Sequence, residues 1–260
     1  MLYSKSYIHP QSSEWVVFIH GAGGSSVVWF KQLKEFKQHF NLLLIDLRGH
    51  GKSSDLPQAI WNEEYTFQEI TRDIIEVLDE KEIPPAHFAG VSLGTILARN
   101  LAEMEPQRVK SLVLAGAITK LNIKSRFLVF LGNTFKRFIP YMWLYSLFAF
   151  IIMPKKQHEE SRNLFIREAK KLCQKEFIRW FKLTKDINPL LKFFKEKAID
   201  IPTLYVMGDQ DVMFLESVKK IVEIHKNSIL KIVEKCGHVV NVEQPKRFNQ
   251  YALTFIKGQT

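Results

Sequence analysis

Cysteine is scarce in this 260-residue sequence, which contains only two. Cys173 and Cys236 lie far apart and form neither a metal-ligand spacing nor a C-x-x-C pair. So little cysteine argues against a disulfide-stapled secreted domain, and we expect unpaired thiols in a reducing compartment. Residues 1–14 show no basic segment followed by an apolar run, so no secretory signal is visible and we expect a cytoplasmic location.

Long apolar runs are also missing. The longest covers residues 138–153, only sixteen positions, and it contains Pro140. A helix that crosses a bilayer needs about 20 apolar residues. The run therefore predicts a part of the folded protein and not a membrane span.

Two nucleotide-binding patterns are approached but not completed. The glycine-rich turn after the first buried strand has Ser26 where the dinucleotide fingerprint needs glycine. The Gly-Lys-Ser at residues 51–53 has Asp46 where a phosphate-binding P-loop needs its first glycine. No histidine has a metal-ligand partner nearby in the sequence, so we expect neither a nucleotide cofactor nor a metal.

Positive charge is in excess, but it is confined to one segment. The whole chain has a formal net charge of +10. Residues 120–197 hold 18 Lys and Arg against 6 Asp and Glu, a net of +12, so the rest of the chain carries a net of −2. No groove-reading helix or RNA-binding signature accompanies this charge, and we expect no nucleic-acid partner.

Apolar β-branched strands alternate with helical patterns over most of the chain. Buried strands are predicted at residues 15–19, 41–47, 86–91, 109–115, 201–207 and 229–233, with helical patterns between most of them. This alternation predicts an α/β fold with a mainly parallel sheet covered on both faces. Within residues 120–197 only helical spacing occurs, and we expect an all-helical cap there between core segments 1–119 and 198–260.

The stretch Gly-Val-Ser-Leu-Gly at residues 90–94 joins a predicted strand to a predicted helix. Side chains two residues before or after Ser92 would collide with the neighbouring strand and helix, and glycine at 90 and 94 removes both collisions. A serine hydroxyl becomes a nucleophile only beside a base that a carboxylate holds in place. The sequence offers Gly-Asp-Gln-Asp at residues 208–211 and Gly-His at residues 237–238, each directly after a strand.

Together with His-Gly at residues 20–21 and Asp-Leu-Arg-Gly-His-Gly-Lys-Ser at residues 46–53, these motifs resemble the α/β-hydrolase superfamily, in its esterase-like branch with a helical cap. The resemblance implies Ser92 as nucleophile, His238 as general base and Asp211 as the acid that orients it, with Asp209 as the rival acid. It also implies an oxyanion hole formed by the backbone N–H groups of Ala22 and Leu93.

The resemblance further places His20 within the oxyanion loop, while His50 is predicted to belong to a surface turn. By the same resemblance we expect hydrolysis of carboxylic esters or thioesters with a small to medium, largely apolar acyl group, through an acyl-enzyme and without a cofactor. Two alternatives use the same residues: a carbon–carbon bond hydrolase or cofactor-free lyase, and a ligand-binding or signalling protein with low turnover. The sequence leaves the oligomeric state open.

Two interpretations of the predicted cap also stay open. Its aromatic residues, which include Phe127, Phe130 and Phe138 at helical spacing, either pack on one another and on the sheet, or line an acyl pocket above Ser92. In the second interpretation the basic residues hold the cap against an anionic membrane surface, with residues 138–153 as the contact.

Overall fold

Seven strands form one sheet within residues 1–55 and 65–260, the part of the chain that the computed structural model describes. The strands are β1 Ser4–Tyr7, β2 Trp15–Ile19, β3 Asn41–Ile45, β4 Ala86–Val91, β5 Val109–Ala115, β6 Thr203–Gly208 and β7 Ser228–Val233. Their order across the sheet is β1-β3-β2-β4-β5-β6-β7. Only β1 runs antiparallel to its neighbour in this sheet, so the prediction of a mainly parallel α/β fold is confirmed.

Helices cover both faces of the sheet and fill the segment between β5 and β6. They are α1 Phe30–Phe36, α2 Phe67–Glu80, α3 Leu93–Met104, α4 Ile123–Phe135, α5 Tyr141–Ile152, α6 Glu159–Ala169, α7 Gln174–Lys182, α8 Thr184–Glu196, α9 Leu215–Ile224, α10 Val240–Glu243 and α11 Pro245–Lys257. Because parallel strands need a crossover between them, this alternation is what the strand order requires.

The central strands are apolar along their whole length because helices cover them from both sides. Every residue of β3, β4 and β6 is buried. The edge strand β7 is instead only partly covered, with Ile229, Lys231 and Ile232 exposed. Burial on both faces pins the register of the middle strands, and this fixes the loops that follow their carboxyl ends.

The helical insert, residues 120–197, contains α4 to α8 and packs onto the core of the sheet. Leu128, Trp180, Leu183 and Ile187 belong to the same buried cluster as the residues beneath the sheet. The indole N–H of Trp180 also donates to the backbone oxygen of Arg48 at 3.1 Å. The insert is therefore attached to the core by apolar packing and by buried hydrogen bonds.

Two predicted apolar faces differ from the structure. Helical spacing of apolar residues from residue 26 to residue 37 predicts a helix with Phe30 on its apolar face, but the structure begins there with a 3₁₀ turn at Ser26–Trp29, and Phe30 is 47% exposed. In α4, Phe127 and Phe130 were expected to face an apolar neighbour but are exposed. Helical spacing identifies one face of a helix, but it does not show which element covers that face.

Helix α5 is the most apolar helix of the insert, but it has only 12 residues. Within the described ranges, no helix combines the length and apolar character that a bilayer crossing requires.

Candidate active site

Ser92 lies at a sharp turn between β4 and α3. Its backbone has φ 54° and ψ −119°, a left-handed conformation that costs a residue with a side chain about 1–3 kcal/mol. A Cβ at Gly90 would lie 2.5 Å from the carbonyl oxygen of Gly94, and a Cβ at Gly94 would lie 2.3 Å from that of Ile19. The collisions predicted from the sequence are therefore real, and glycine at both positions permits the turn.

His238 and Asp211 complete a hydrogen-bonded chain with the serine. The Nε2 atom of His238 lies 2.9 Å from the Oγ atom of Ser92, and its Nδ1 atom lies 2.8 Å from Oδ2 of Asp211. An ionised carboxylate only accepts hydrogen bonds, so Nδ1–H donates to Asp211. That tautomer leaves a lone pair on Nε2 that accepts the hydroxyl proton of Ser92.

The backbone at the start of α9 holds the Asp211 carboxylate. Its second oxygen, Oδ1, accepts the N–H groups of Met213 at 3.2 Å and Phe214 at 3.1 Å. Asp211 and His238 are both buried, and the ring of Phe214 lies 5.2 Å from the imidazole. With both carboxylate oxygens engaged, the acid has one orientation toward His238.

Asp209, the rival acid, has a different partner. Its Oδ1 accepts the backbone N–H of Cys236 at 3.0 Å, so it holds the loop before His238 and does not reach the ring. Cys236 is buried there, and burial raises the pKa of its thiol. The geometry thus brings Asp211, not Asp209, to His238.

The two residues whose backbone N–H groups are expected to form an oxyanion hole lie beside the same cavity as Ser92. Ala22 and Leu93 both line the larger cavity beside the serine. Leu93 is the first residue of α3, so its N–H has no partner within the helix. The loop that carries Ala22 can approach the end of β4 closely because residue 21 is glycine. A Cβ at Gly21 would lie only 3.0 Å from the carbonyl oxygen of Val91.

His50 supports this oxyanion loop, and the prediction that it belongs to a surface turn is wrong. The side chain is buried, and its Nε2 accepts the N–H of Gly23 at 2.9 Å. Its Nδ1–H donates to the backbone oxygen of Arg48 at 3.0 Å. Burial and the neighbouring His20 lower the pKa of His50 to about 3, so it stays neutral and can accept this bond.

The side chains of Asp46 and His20 also hold the oxyanion loop in place. Asp46 accepts the N–H of Ser26 at 2.7 Å through Oδ1. His20 accepts the N–H of Leu47 at 3.0 Å, and its other nitrogen donates to the backbone oxygen of Gly21 at 2.8 Å, which agrees with its predicted place in the loop. Burial lowers the pKa of His20 as well, so the loop rests on a pair of neutral imidazoles.

Glu168 and Glu243 are buried carboxylates near the site that sequence reasoning missed. Glu168, from α6, accepts the hydroxyl of Ser25 at 2.7 Å. Burial opposes its ionisation, but hydrogen bonds from Lys171 and Ser25 outweigh this and hold its pKa below the usual value. Glu243 accepts the N–H of Gly237 at 2.6 Å, next to His238. Glu168 has no sequence signal because Ser25 lies 143 residues away, and Glu243 lies outside the motifs that carry the resemblance.

Two cavities of unequal size meet at Ser92. The larger, which we call the large lobe, has a volume of about 210 Å³. It is lined mostly by apolar residues of the insert and the core, among them Leu121, Leu128, Val129, Phe148, Ile152, Phe165, Phe181, Ile187 and Met213. The smaller, the small lobe, has a volume of about 70 Å³ and is lined by His238, Val28, Met153, Leu164 and Glu168 among others. His238 borders the small lobe and is not among the residues that line the large one.

Neither lobe contains a cationic side chain among the described residues that line it. Within residues 1–55 and 65–260, no group of three or more His, Cys, Asp or Glu side chains is arranged to hold a metal ion.

Comparison with known proteins agrees with this fold. A family model described as the alpha/beta hydrolase fold matches residues 14–141. A hydrolase structure from Pseudomonas aeruginosa PA01 superimposes with a TM-score of 0.83 at 25% identity, covering 98% of this chain and 94% of that one. The chain therefore has the α/β-hydrolase fold and is a hydrolase of the carboxylesterase-like kind.

Two curated relatives are similar over nearly their whole length. One is a putative 2-succinyl-6-hydroxy-2,4-cyclohexadiene-1-carboxylate synthase of Bacillus subtilis, 28% identical, with 95% of this chain and 92% of that protein covered. The other is a pimeloyl-[acyl-carrier protein] methyl ester esterase of Wigglesworthia glossinidia brevipalpis, also 28% identical, with 93% of each covered.

Proposed function

We propose that the protein is a serine esterase that hydrolyses carboxylic esters with an apolar acyl group and a small alcohol. The observation that carries the proposal is the hydrogen-bonded chain from Ser92 through His238 to Asp211, at the meeting point of two unequal cavities. Ser92 is the nucleophile, His238 the general base and later acid, and Asp211 the residue that orients His238.

In the first half of the reaction, Ser92 Oγ attacks the ester carbonyl carbon while His238 Nε2 takes its proton. The carbonyl oxygen becomes an oxyanion that accepts the N–H groups of Ala22 and Leu93. Collapse of this intermediate breaks the bond to the alcohol oxygen, which receives the proton from Nε2. Water then attacks the acyl-enzyme with the same assistance, releasing the acid and restoring Ser92.

The position of His238 assigns the two lobes. The leaving alcohol must receive its proton from Nε2, and His238 borders the small lobe, so the alcohol occupies that lobe and the acyl chain the large one. A water-sized group needs about 10–15 Å³ of cavity volume. The small lobe therefore has room for roughly five to seven such groups, and the large lobe for about three times as many. Thioesters with a compact leaving group fit the same arrangement. Residues 120–197 act in this proposal as the cap that closes the large lobe.

An isomeric pair of substrates tests the assignment directly. Methyl heptanoate and hexyl acetate have the same atoms, but the apolar chain lies on opposite sides of the ester bond. We expect a higher kcat/KM for methyl heptanoate, and covalent labelling of Ser92 by a fluorophosphonate probe. A preference for hexyl acetate would reverse the lobes, whereas the absence of both turnover and labelling would remove the esterase proposal itself.

A carbon–carbon lyase reaction on the same residues is a second candidate, supported by the 28% identity to the Bacillus subtilis synthase. The name of that relative includes a carboxylate, and an anionic substrate would have no lysine or arginine partner among the described residues lining either lobe. This favours a neutral ester. A ligand-binding protein with low turnover would show labelling of Ser92 without multiple turnovers.

We further propose a cytoplasmic location. The free thiols of Cys173, which is exposed, and Cys236, which is buried, support a reducing compartment.

A further inference from the structure

The outer faces of α4 and α5 each expose three large apolar side chains, and the spacing along the sequence is the same in both helices. On α4 they are Ile123, Phe127 and Phe130, and on α5 Trp143, Leu147 and Phe150, in both cases at spacings of four and three residues. Phe138, in the connection between the helices, is 83% exposed, and Trp143 is 74% exposed. We call these seven side chains the apolar face. So many exposed large apolar side chains within one segment are unusual on a protein surface that contacts only water.

The chain segment that carries the apolar face has charge of one sign only. No Asp or Glu occurs from residue 106 to residue 158. Residues 120–158 contain seven basic residues, namely Lys120, Lys124, Arg126, Lys136, Arg137, Lys155 and Lys156. All except the half-buried Lys136 are exposed. Across the described part of the chain, no salt bridge joins any of the seven to a carboxylate. The face is therefore bordered by unpaired positive charge.

The opposite sides of the same two helices line the large lobe. Leu128 and Val129 of α4 and Phe148 and Ile152 of α5 border that cavity. Helix α5 contains no charged residue, so it is apolar both toward the lobe and toward the surface. The apolar face thus lies directly outside the cavity assigned to the acyl chain.

We propose that the apolar face and its basic border bind the surface of an anionic lipid bilayer. Aromatic and aliphatic side chains enter the region between headgroups and acyl chains, while lysine and arginine contact the negative headgroups. The net charge of −2 on the rest of the chain opposes any other orientation on such a surface. The protein then lies with the insert against the membrane and the sheet away from it.

The charge argues against a second copy as the occupant. Pairing two apolar faces would bring seven basic residues of each copy together with no acidic residue from either segment to compensate. An acidic protein would complement the positive charge. A lipid surface does so too, and it also accommodates exposed apolar side chains without needing a surface of matching shape. The experiment distinguishes all three occupants.

The test is sedimentation of the full chain carrying Ser92→Ala with vesicles of phosphatidylcholine alone or of phosphatidylcholine mixed with phosphatidylglycerol. This variant cannot act on lipid as the proposed esterase, so binding is measured without turnover, and failure of one proposal leaves the other untouched. We expect binding to the anionic vesicles only, and release as salt shortens the Debye length from about 10 Å at 0.1 M to about 3 Å at 1 M.

Two sets of substitutions, each with a matched control, identify the surface. Phe127→Gln, Phe130→Gln and Trp143→Gln together remove part of the apolar face, and Phe30→Gln, Ile229→Gln and Ile232→Gln remove exposed apolar residues elsewhere. Lys124→Gln, Arg137→Gln, Lys155→Gln and Lys156→Gln remove four charges from the border, and Lys34→Gln, Lys37→Gln, Lys246→Gln and Lys257→Gln remove four from outside the insert.

We expect each insert variant to lower the partition coefficient onto anionic vesicles about tenfold or more, and each control variant to change it less than threefold. Equal binding of the Ser92→Ala protein to both vesicle types, or to neither, would overturn the proposal. So would equal losses in the insert and control variants. A concentration-dependent dimer that the apolar variant abolishes, without vesicle binding, would assign the face to a second copy; binding only to an acidic protein would assign it to that partner.

Discussion

Replacing His50 by alanine tests whether the oxyanion loop depends on a side chain that never reaches the substrate. The substitution removes the acceptor of the Gly23 N–H, which the structure places at 2.9 Å from Nε2 in a buried setting. Leaving a buried N–H unpaired costs about 1–3 kcal/mol, and we expect the free energy of unfolding to fall by at least that amount.

The effect on catalysis follows from the position of Ala22, the neighbour of Gly23. Loss of one oxyanion donor typically lowers kcat by about 10²–10³, and a loosened donor loses less than a missing one. We therefore expect kcat on a p-nitrophenyl ester to fall about 10- to 100-fold with little change in KM. His50→Gln, whose amide oxygen can accept the same N–H, should recover part of the loss.

A buried histidine far from the site provides the control. The Nε2 atom of His225 lies 3.0 Å from the backbone oxygen of Lys195, and this histidine lines neither lobe. His225→Ala should lower the unfolding free energy without lowering kcat. If His50→Ala left kcat unchanged, or if both variants lowered it equally, the support of the oxyanion loop by His50 would be refuted.

Four further outcomes follow from the geometry. The folded-state pKa of His50 is lowered to about 3, so its contribution to stability is complete above its ordinary value near 6.5 and is lost as pH falls toward 3; in that window the unfolding free energy of the wild type should fall about 1.4 kcal/mol per pH unit more steeply than that of His50→Gln, which keeps the slope due to His20. Ser92→Ala should lower kcat by about 10⁴–10⁶ in a steady-state assay, and retention of a tenth of the activity would exclude it as nucleophile. Asp211→Asn should lower kcat more than Asp209→Asn, and the opposite ranking would transfer the acid role to Asp209. Gly94→Ala should destabilise the fold by about 1–3 kcal/mol in a denaturant titration, because its Cβ would lie 2.3 Å from a carbonyl oxygen of β2, and an unchanged midpoint would contradict the tight packing of the turn.

Local patterns predicted most of the sheet because the strands are buried on both faces. The runs at residues 15–19, 86–91 and 109–115 coincide with β2, β4 and β5. The motifs after three of the strands, together with the resemblance to α/β-hydrolases that they carry, predicted that Ser92, Asp211 and His238 would lie together. These three lie at the same edge of the sheet, and that edge follows from the parallel topology alone.

What the sequence did not predict depends on contacts between distant segments. His50 is buried because the insert packs over it: the Trp180 ring lies 4.8 Å from the imidazole, and no local pattern encodes that cover. The spacing of Phe127 and Phe130 correctly indicated a helix, but periodicity is the same whether the apolar side meets protein, lipid or water. Glu168 reaches Ser25 across 143 residues, a pairing invisible to any window along the chain.

The unequal lobes have a kinetic consequence. In the proposed reaction the alcohol leaves through the small lobe while the acyl chain stays fixed in the large one, so the next nucleophile enters the space that the alcohol vacated. That space accepts methanol as readily as water, because both fit a cavity of about 70 Å³. Added methanol should then intercept the acyl-enzyme and return a methyl ester, whereas a long alcohol should not. On the proposed mechanism the size of the small lobe decides which acceptors compete with water for the acyl group, and the protein would act as an acyltransferase toward alcohols small enough to enter that lobe.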